Sequence, residues 1–194
     1  FPRERKCDPA RILRVLELPE GERRQFAPSP EGLGWGRALV KAQLAGRKGA
    51  AALPDQAIEA FVARLVGGLL TQLRSIPVVM RIHANLAERF PGLAGTQTDA
   101  IAYEQREALG SLKPEIRQTV PEEIVAGSLI LNTAYAQFCD RLLELTTHRI
   151  PYEAAGFAEL GSALLGVFDA VPAEPGSDRE LVDRWAAEIG LGGK

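Results

Sequence analysis

The pattern of apolar and polar positions predicts helices from residue 54 onward. Pro54 suits the first turn of a helix, where its missing N–H costs nothing, and apolar residues then recur at helical spacing. This stripe predicts a helix over 54–75. Ser75-Ile76-Pro77 predicts its end and the start of a second helix over 77–90, before Pro91-Gly92. The apolar residues that share a face of the second helix are Val79, Ile82, Leu86 and Phe90.

Four more helices are predicted toward the C-terminus. A third helix over 98–112 carries few apolar residues and should be more exposed. Thr119-Val120-Pro121-Glu122 combines a capping threonine with a proline and an acidic first turn, which predicts a long helix over 120–147. Pro151 begins the next helix, and Ser177-Asp178-Arg179-Glu180 predicts a capping box for the last one. No stretch shows the period-two alternation of a strand, so we predict an all-α helical bundle.

The first 50 residues differ from the rest in composition and charge. Prolines and glycines over 19–36 oppose regular helix, which leaves a predicted helical piece over 37–44. Residues 1–50 contain 11 Lys and Arg against 6 Asp and Glu, a charge of +5, whereas residues 51–194 contain 12 against 19, a charge of −7. We therefore predict a basic N-terminal segment (1–50), a candidate DNA-binding head, and a helical body (51–194). The alternative for 1–50 is a solvated arm without a specific role.

Composition excludes several classes of protein. Hydrophobic residues make up 46% and charged residues 25% of the chain, which excludes wholesale disorder. Cys7 and Cys139 are too few for a disulfide scaffold or a four-cysteine zinc site, and they fit a reducing compartment. We find no apolar run near 18 residues and no signal-peptide pattern, so we expect a cytoplasmic protein without a membrane partner. No metal or cofactor is expected.

The chain lacks the common catalytic motifs for dinucleotide, phosphate-loop, nucleophile-elbow and zinc-protease chemistry, so we expect no catalysis. An all-α enzyme without a known motif is a third hypothesis. His83 lies on an apolar helix side, either as a hydrogen-bonded core residue or as a polar contact inside a ligand cavity. Asn132, Gln137 and Tyr135 of the long helix allow the same two interpretations, because a buried amide needs a partner. Cys139 is interpreted as a small buried hydrophobe.

The helices over 120–147 and from Pro151 form a predicted αα-hairpin. The first is apolar in nearly every direction, and one subunit of this size cannot easily cover both helices. We therefore predict a homodimer in which residues 120–170 of two copies form a four-helix interface. The alternative is that the helices over 54–75 and 77–90 cover the hairpin within one chain.

Two stretches resemble the C-terminal regulatory domain of the TetR family of transcriptional repressors. The stretch from Leu65 to Phe90 is similar to that family's helix–proline–helix segment. Val120-Pro121-Glu122-Glu123 and the long helix after it are similar to one of the two last helices, which dimerise. Ile150-Pro151-Tyr152-Glu153-Ala154-Ala155-Gly156-Phe157 is similar to the start of the other. The resemblance covers about residues 54 to 170 and implies a homodimeric, ligand-responsive repressor.

Such repressors begin with a three-helix domain that contains a helix-turn-helix. Residues 8–13 are similar to its first helix, and residues 34–40 to its turn and recognition helix. Residues 45–48 are similar to the segment after the recognition helix. The position of the family's second helix is interrupted by Pro28 and Pro30. The resemblance implies that operator phosphates are contacted by Arg37, Lys41, Arg47 and Lys48. It also implies a cavity for a small apolar ligand, with candidates Phe61, Leu65, His83, Leu86, Tyr103, Asn132 and Tyr135. The alternative from another class is an all-α protein–protein interaction module without DNA binding.

Overall fold

The computed structural model describes residues 28–45, 54–174 and 176–191 of the chain. Over these ranges it forms eight α-helices and no strand, so the all-α prediction is confirmed for them. Two 3₁₀ helices, Pro91–Leu93 and Leu109–Leu112, lie on either side of the α-helix Ala94–Ala108. The α-helices are α1 Pro30–Ala45, α2 Asp55–Arg89, α3 Ala94–Ala108, α4 Pro114–Thr119, α5 Glu122–Leu142, α6 Ile150–Ala154, α7 Ala158–Ala170 and α8 Ser177–Glu188. The predicted helix over 8–13, Arg47 and Lys48 lie outside the described residues.

The helices predicted over 54–75 and 77–90 are a single helix of 35 residues, α2. Pro77 removes one backbone hydrogen bond, but Leu73 and Met80 continue one buried face across it and hold both halves in one helix. Of the apolar stripe predicted for the second half, Ile82 and Phe90 are exposed, at 51% and 49%, whereas Val79 and Leu86 are partly buried. The buried face of α2 consists instead of Ile58, Val62, Val66, Leu69, Leu73, Pro77, Met80 and His83.

By length and composition alone, α2 could also cross a membrane. Its most apolar window of 18 residues has a mean hydropathy of 1.2, and 33% of that window is buried inside the fold. The core helix of a soluble protein passes the same test, so a single helix of this kind is a weak indication. The absence of a membrane partner therefore stays a prediction.

Helix α1 begins at Pro30, seven residues before the predicted helical piece over 37–44. Proline fits the first helical position, and the Gly32 N–H donates to Ser29 Oγ at 3.0 Å in a side-chain cap. Gly36 faces α2, where a Cβ atom would stand 2.6 Å from Val66 Cγ2. The prediction that glycines oppose helix here is wrong, because at Gly36 the missing side chain is what lets α1 pack against α2.

The long helix α5 ends at Leu142, five residues earlier than predicted. Glu144 adopts a left-handed φ of 55°, and the N–H of Leu145 donates to Asp140 O at 2.8 Å, which ends the helix. The buried Asp140 carboxylate then accepts the backbone N–H groups of residues 148 and 149, at 3.1 and 3.0 Å. The hydrogen bonds of the Asp140 side chain to the turn after the helix therefore fix where α5 ends.

Neither predicted capping residue caps its helix. Thr119 is the last residue of α4, a helix that the sequence pattern does not predict, and its hydroxyl donates to Glu115 O at 2.8 Å. Ser177 donates to Pro172 O at 2.7 Å, and the N-cap of α8 is Gly176. The Thr119 hydroxyl bonds back within α4 and the Ser177 hydroxyl bonds to the preceding turn, and neither accepts a hydrogen bond from the first N–H groups of the helix that follows.

The helix predicted from Pro151 is two helices, α6 and α7, separated at Gly156 with a φ of 91°. Helix α7 then packs closely on α5 at Gly161, where a Cβ atom would stand 2.8 Å from Thr133 Cβ and 3.1 Å from Ala134 N. Glycine is required at this crossing because the two backbones approach each other.

Residues 129–140 of α5 are all buried within one chain. Helices α2 and α7 make the main contacts with α5, and Leu131 and Leu164 are fully buried between these layers. One chain therefore covers α5 over these residues, because α2 is long enough to run along it, whereas the outer face of α7, the other helix of the hairpin, stays partly exposed. The dimer itself stays a prediction, with the outer face of α7, including the half-exposed Leu160, as its available surface.

Candidate functional site

A cleft of about 430 Å³ lies between α2, α3 and α5. One face of α2 forms a wall, the last turn of α3 forms another, and the 3₁₀ helix Leu109–Leu112 and α5 complete it. This volume lies within the range of small-molecule sites. We call this space the α3 cleft. Its lining consists of Gln72, Ser75, Ile76, Val79, Glu104, Glu107, Ala108, Gly110, Ser111, Asn132 and Tyr135.

The cleft stays open because the chain places small side chains where α3 ends. The space between α2 and α5 is not filled there, because the side chains are too short at Ala108, Gly110 and Ser111. The remaining α3 side chains at the cleft are Glu104 and Glu107, whose carboxylates favour contact with water over burial. The local sequence therefore produces a polar opening beside a buried helix.

Tyr135 is the most buried hydroxyl donor of the lining, with 6% of its surface exposed. Its hydroxyl donates a short hydrogen bond to Glu104 Oε2. Burial, followed by the nearby Cys139 and Glu104, raises the pKa of Tyr135 well above 10.0. The phenol is therefore neutral at physiological pH and acts as a fixed donor to the carboxylate.

His83 lies directly behind this pair and is buried. Its ring stacks against Tyr135 with 6.3 Å between centroids, and Gln97 Nε2 approaches its Nδ1 at 3.2 Å. Because an amide nitrogen only donates, Nδ1 accepts and the ring proton lies on Nε2. This Nε2 stands 3.6 Å from Glu104 Oε2 and has no hydrogen-bond partner among the described residues.

Cys139 completes the buried side of this cluster, and its Sγ accepts from Gln105 Nε2 at 3.6 Å. Burial raises the pKa of the Cys139 thiol to about 12, so it carries almost no thiolate at neutral pH. A nucleophilic role is thereby disfavoured. Its predicted burial is confirmed, and the described residues contain no group of three side chains able to hold a metal ion.

The structure brings two of the predicted ligand residues, Asn132 and Tyr135, into the lining of the α3 cleft, with His83 behind them. Four other candidates lie outside that lining. Tyr103 is 61% exposed because α3 turns Gln97, Ile101 and Gln105 inward, which leaves residue 103 on the outer side. The others are Phe61, which is 38% exposed, and the partly buried Leu65 and Leu86.

Sequence reasoning missed the carboxylates and the α2 wall of the cleft. Glu104, Glu107 and Ser111 repeat at spacings of three and four along the chain. Gln72, Ile76 and Val79 follow the same rule on α2. Side chains at these spacings share one face of a helix, so the polar residues at the end of α3 and in the 3₁₀ helix after it are the signal in the sequence that indicates this surface.

The basic residues predicted to contact DNA are already paired where they are described. The Arg37 guanidinium forms two 2.7 Å contacts with the Glu59 carboxylate of α2, and Lys41 Nζ stands 3.8 Å from Asp55 Oδ1. Both pairs are exposed and join α1 to α2, so a phosphate would compete with an internal carboxylate for Arg37.

A second cleft, of about 410 Å³, lies beside the N-terminal half of α5. Its charged side chains are one cation, Arg117, and one anion, Glu122. The remaining lining residues are apolar: Val125, Ala126, Leu129, Ala155 and Phe157. It therefore lacks the convergent buried polar groups that mark the α3 cleft.

Comparison with protein-family models, with curated proteins and with solved structures finds no match for this chain.

Proposed function

We propose that this chain is a ligand-responsive transcriptional regulator of TetR type, in which the α3 cleft takes the ligand and residues 1–50 face DNA. The observation that carries the proposal is the cleft itself, in which Tyr135 and Asn132 present polar groups beside apolar walls. A few fixed polar groups in a mostly apolar concave site are typical of small-molecule binding.

Hydrogen bonds join α1 of the N-terminal segment to the part of the chain that leads from the cleft into α5. The Gln43 amide of α1 donates to the backbone oxygens of Gln118 and Val120, at 3.1 and 3.2 Å. These residues lie where α4 leads into α5, and α4 follows the 3₁₀ helix that borders the cleft. A ligand that favours one position of this 3₁₀ helix would therefore bias the position of α1.

The DNA-binding part of the proposal is supported by the charge of +5 on residues 1–50 and by the sequence resemblance. Dimerisation would pair two such segments, and the outer face of α7 is the surface on which we place it. Leu160 on that face is half-exposed although it is apolar. A protein–protein interaction module is the outcome if the segment ignores DNA.

Duplex binding tests the proposal. Affinity for pooled genomic fragments, measured by fluorescence anisotropy, should fall steeply between 50 and 200 mM salt because neutralised phosphates release counterions. Arg47→Ala and Lys48→Ala should each lower the magnitude of the log–log salt slope by about one. A dimer in sedimentation that binds no duplex at 50 mM salt would remove the repressor hypothesis.

The connection through α1 is tested by Gln43→Ala. Compounds that raise the melting temperature of the protein should release duplex from the unmodified chain but not from this variant, because the hydrogen bonds to the α4–α5 junction are lost. Gln118→Ala is the matched control, since only the backbone oxygen of Gln118 accepts the hydrogen bond. Equal release in both variants would show that the Gln43 connection carries no signal.

A further inference from the structure

We propose that the ligand of the α3 cleft is an amphipathic organic cation, such as an amine or an onium ion with an apolar body. This inference rests on the proposed function, because it assigns a ligand class to the same site. It also changes the expectation of a purely apolar ligand.

The first argument is the charge of the lining. Glu104 and Glu107 place two carboxylates at the cleft, and the lining contains no lysine, arginine or histidine. A concave surface lined by one sign of charge concentrates ligands of the opposite sign. These two carboxylates border a formed cleft of about 430 Å³.

The second argument is the direction of the helix dipole. The cleft lies at the C-terminal end of α3, where the helix dipole is negative and favours a cation. The exposed carboxylates of Glu104 and Glu107 lie at the same end of the helix, so the dipole and the two charges favour the same sign of ligand charge.

The third argument is that the most buried donors are already used. The Tyr135 hydroxyl donates to Glu104, and Asn132 Nδ2 donates to Ser111 Oγ at 3.3 Å. The Ser111 hydroxyl donates in turn to Ala108 O at 2.7 Å. An anionic ligand would have to break these bonds, whereas a cation leaves them in place.

The apolar part of the ligand also has a surface to contact. Ile76 and Val79 of α2 and Ala108 of α3 supply aliphatic contacts. Tyr135, whose ring stacks on His83, adds aromatic atoms to the same lining. The site therefore combines apolar walls with negative charge, which matches an amphipathic cation.

Three probes of similar shape test the ligand class by calorimetric titration: tetraphenylphosphonium (cation), triphenylphosphine oxide (neutral) and tetraphenylborate (anion). We expect tetraphenylphosphonium to bind about tenfold more tightly than either of the others. Glu107→Gln should weaken the cation about fivefold and leave the neutral probe unchanged. Asp99→Asn, an exposed carboxylate of α3 outside the lining, is the matched control and should change neither affinity.

Ser75→Trp tests whether the probes bind in the cleft at all, separately from the charge that the cleft prefers. Ser75 is an exposed α2 residue that lines the cleft, and a large ring at this position fills it. If the cation and the neutral probe bind equally, and both are lost in Ser75→Trp, the charge preference is overturned and the site stands. If no probe binds, or if Ser75→Trp leaves binding intact, both the ligand class and the cleft as a binding site are overturned.

Discussion

The two sides of α5 are filled in opposite ways. Toward α7 the helices nearly touch at Gly161, and Phe138 packs edge to face on Phe168 with 5.5 Å between ring centroids. Toward α3 the same helix presents Asn132 and Tyr135 to an open cleft of about 430 Å³. One helix therefore carries a close-packed side and an open polar side.

The two sides also differ in how their buried polar groups are paired. On the close-packed side, the buried Trp185 ring donates from Nε1 to Leu164 O at 3.0 Å and fixes α8 on α7. On the open side, His83 Nε2 lacks a hydrogen-bond partner among the described residues. Polar groups kept at a binding surface commonly reduce stability, so substitutions on the two sides should act in different ways.

The largest effect is expected at the crossing of α5 and α7. Gly161→Ala places a Cβ atom 2.8 Å from Thr133 Cβ and 3.1 Å from Ala134 N, so the helices must separate. Overpacking of this kind should lower the free energy of unfolding by about 2 kcal/mol, measured by urea denaturation.

Gly166→Ala in the same helix is the matched control. Nothing lies within 4 Å of a Cβ atom there, so alanine should stabilise the helix by about 0.5–1 kcal/mol. If both variants gain stability, the close packing on this side of α5 is not a constraint, and the contrast between its two sides fails.

An alkaline titration compares the two sides through their buried titratable groups. On the α3 side, burial raises the pKa of Cys139 from 9.0 to about 12. Tyr152 packs against the N-terminal half of α5, and burial raises its pKa from 10.0 to about 12. Their stability contribution is complete below pH 9 and is lost as the pH rises toward 12. Each group should lower the free energy of unfolding by about 1.4 kcal/mol per pH unit within its range.

Urea denaturation at pH 8, 9, 10 and 11 measures this loss. Between pH 9 and 10 the loss should be smaller in Cys139→Ala than in the unmodified chain. Equal curves for the two proteins would mean that water reaches Cys139 in the folded state, and that the open side extends deeper than the α3 cleft.

Sequence patterns predicted the helical class and most helices, because apolar spacing reports directly on buried faces. They failed where a single contact decides the boundary. Pro77 stays inside α2 because the core holds both sides of it, and Asp140 ends α5 through backbone bonds to residues 148 and 149. The cleft was only partly predicted, since Glu104 and Glu107 sit in a sparsely apolar helix whose inward face a sequence does not show.

The smallest effects should come from exchanging one buried amide on each side of α5 for leucine. Gln137 faces α7, donates from Nε2 to Ala158 O at 3.1 Å and accepts from Ser162 Oγ at 3.3 Å. Asn132 faces the cleft and makes a single 3.3 Å bond to Ser111 Oγ. Gln137→Leu should therefore lower the free energy of unfolding by about 1 kcal/mol, and Asn132→Leu should change it by less than about 0.5 kcal/mol.

The difference follows from the hydrogen bonds that each leucine removes. Gln137→Leu removes the 3.1 Å bond that joins α5 to Ala158 O of α7, an oxygen that keeps its 2.9 Å bond from Ser162 Oγ, so the expected loss is that of one hydrogen bond between helices. In Asn132→Leu, Ser111 keeps its bond to Ala108 O and borders an open cleft, where water replaces the lost amide. Urea denaturation of both variants measures the two values. An equal or larger loss for Asn132→Leu would make the cleft side of α5 part of the stabilising core, and Asn132 would then be a structural residue.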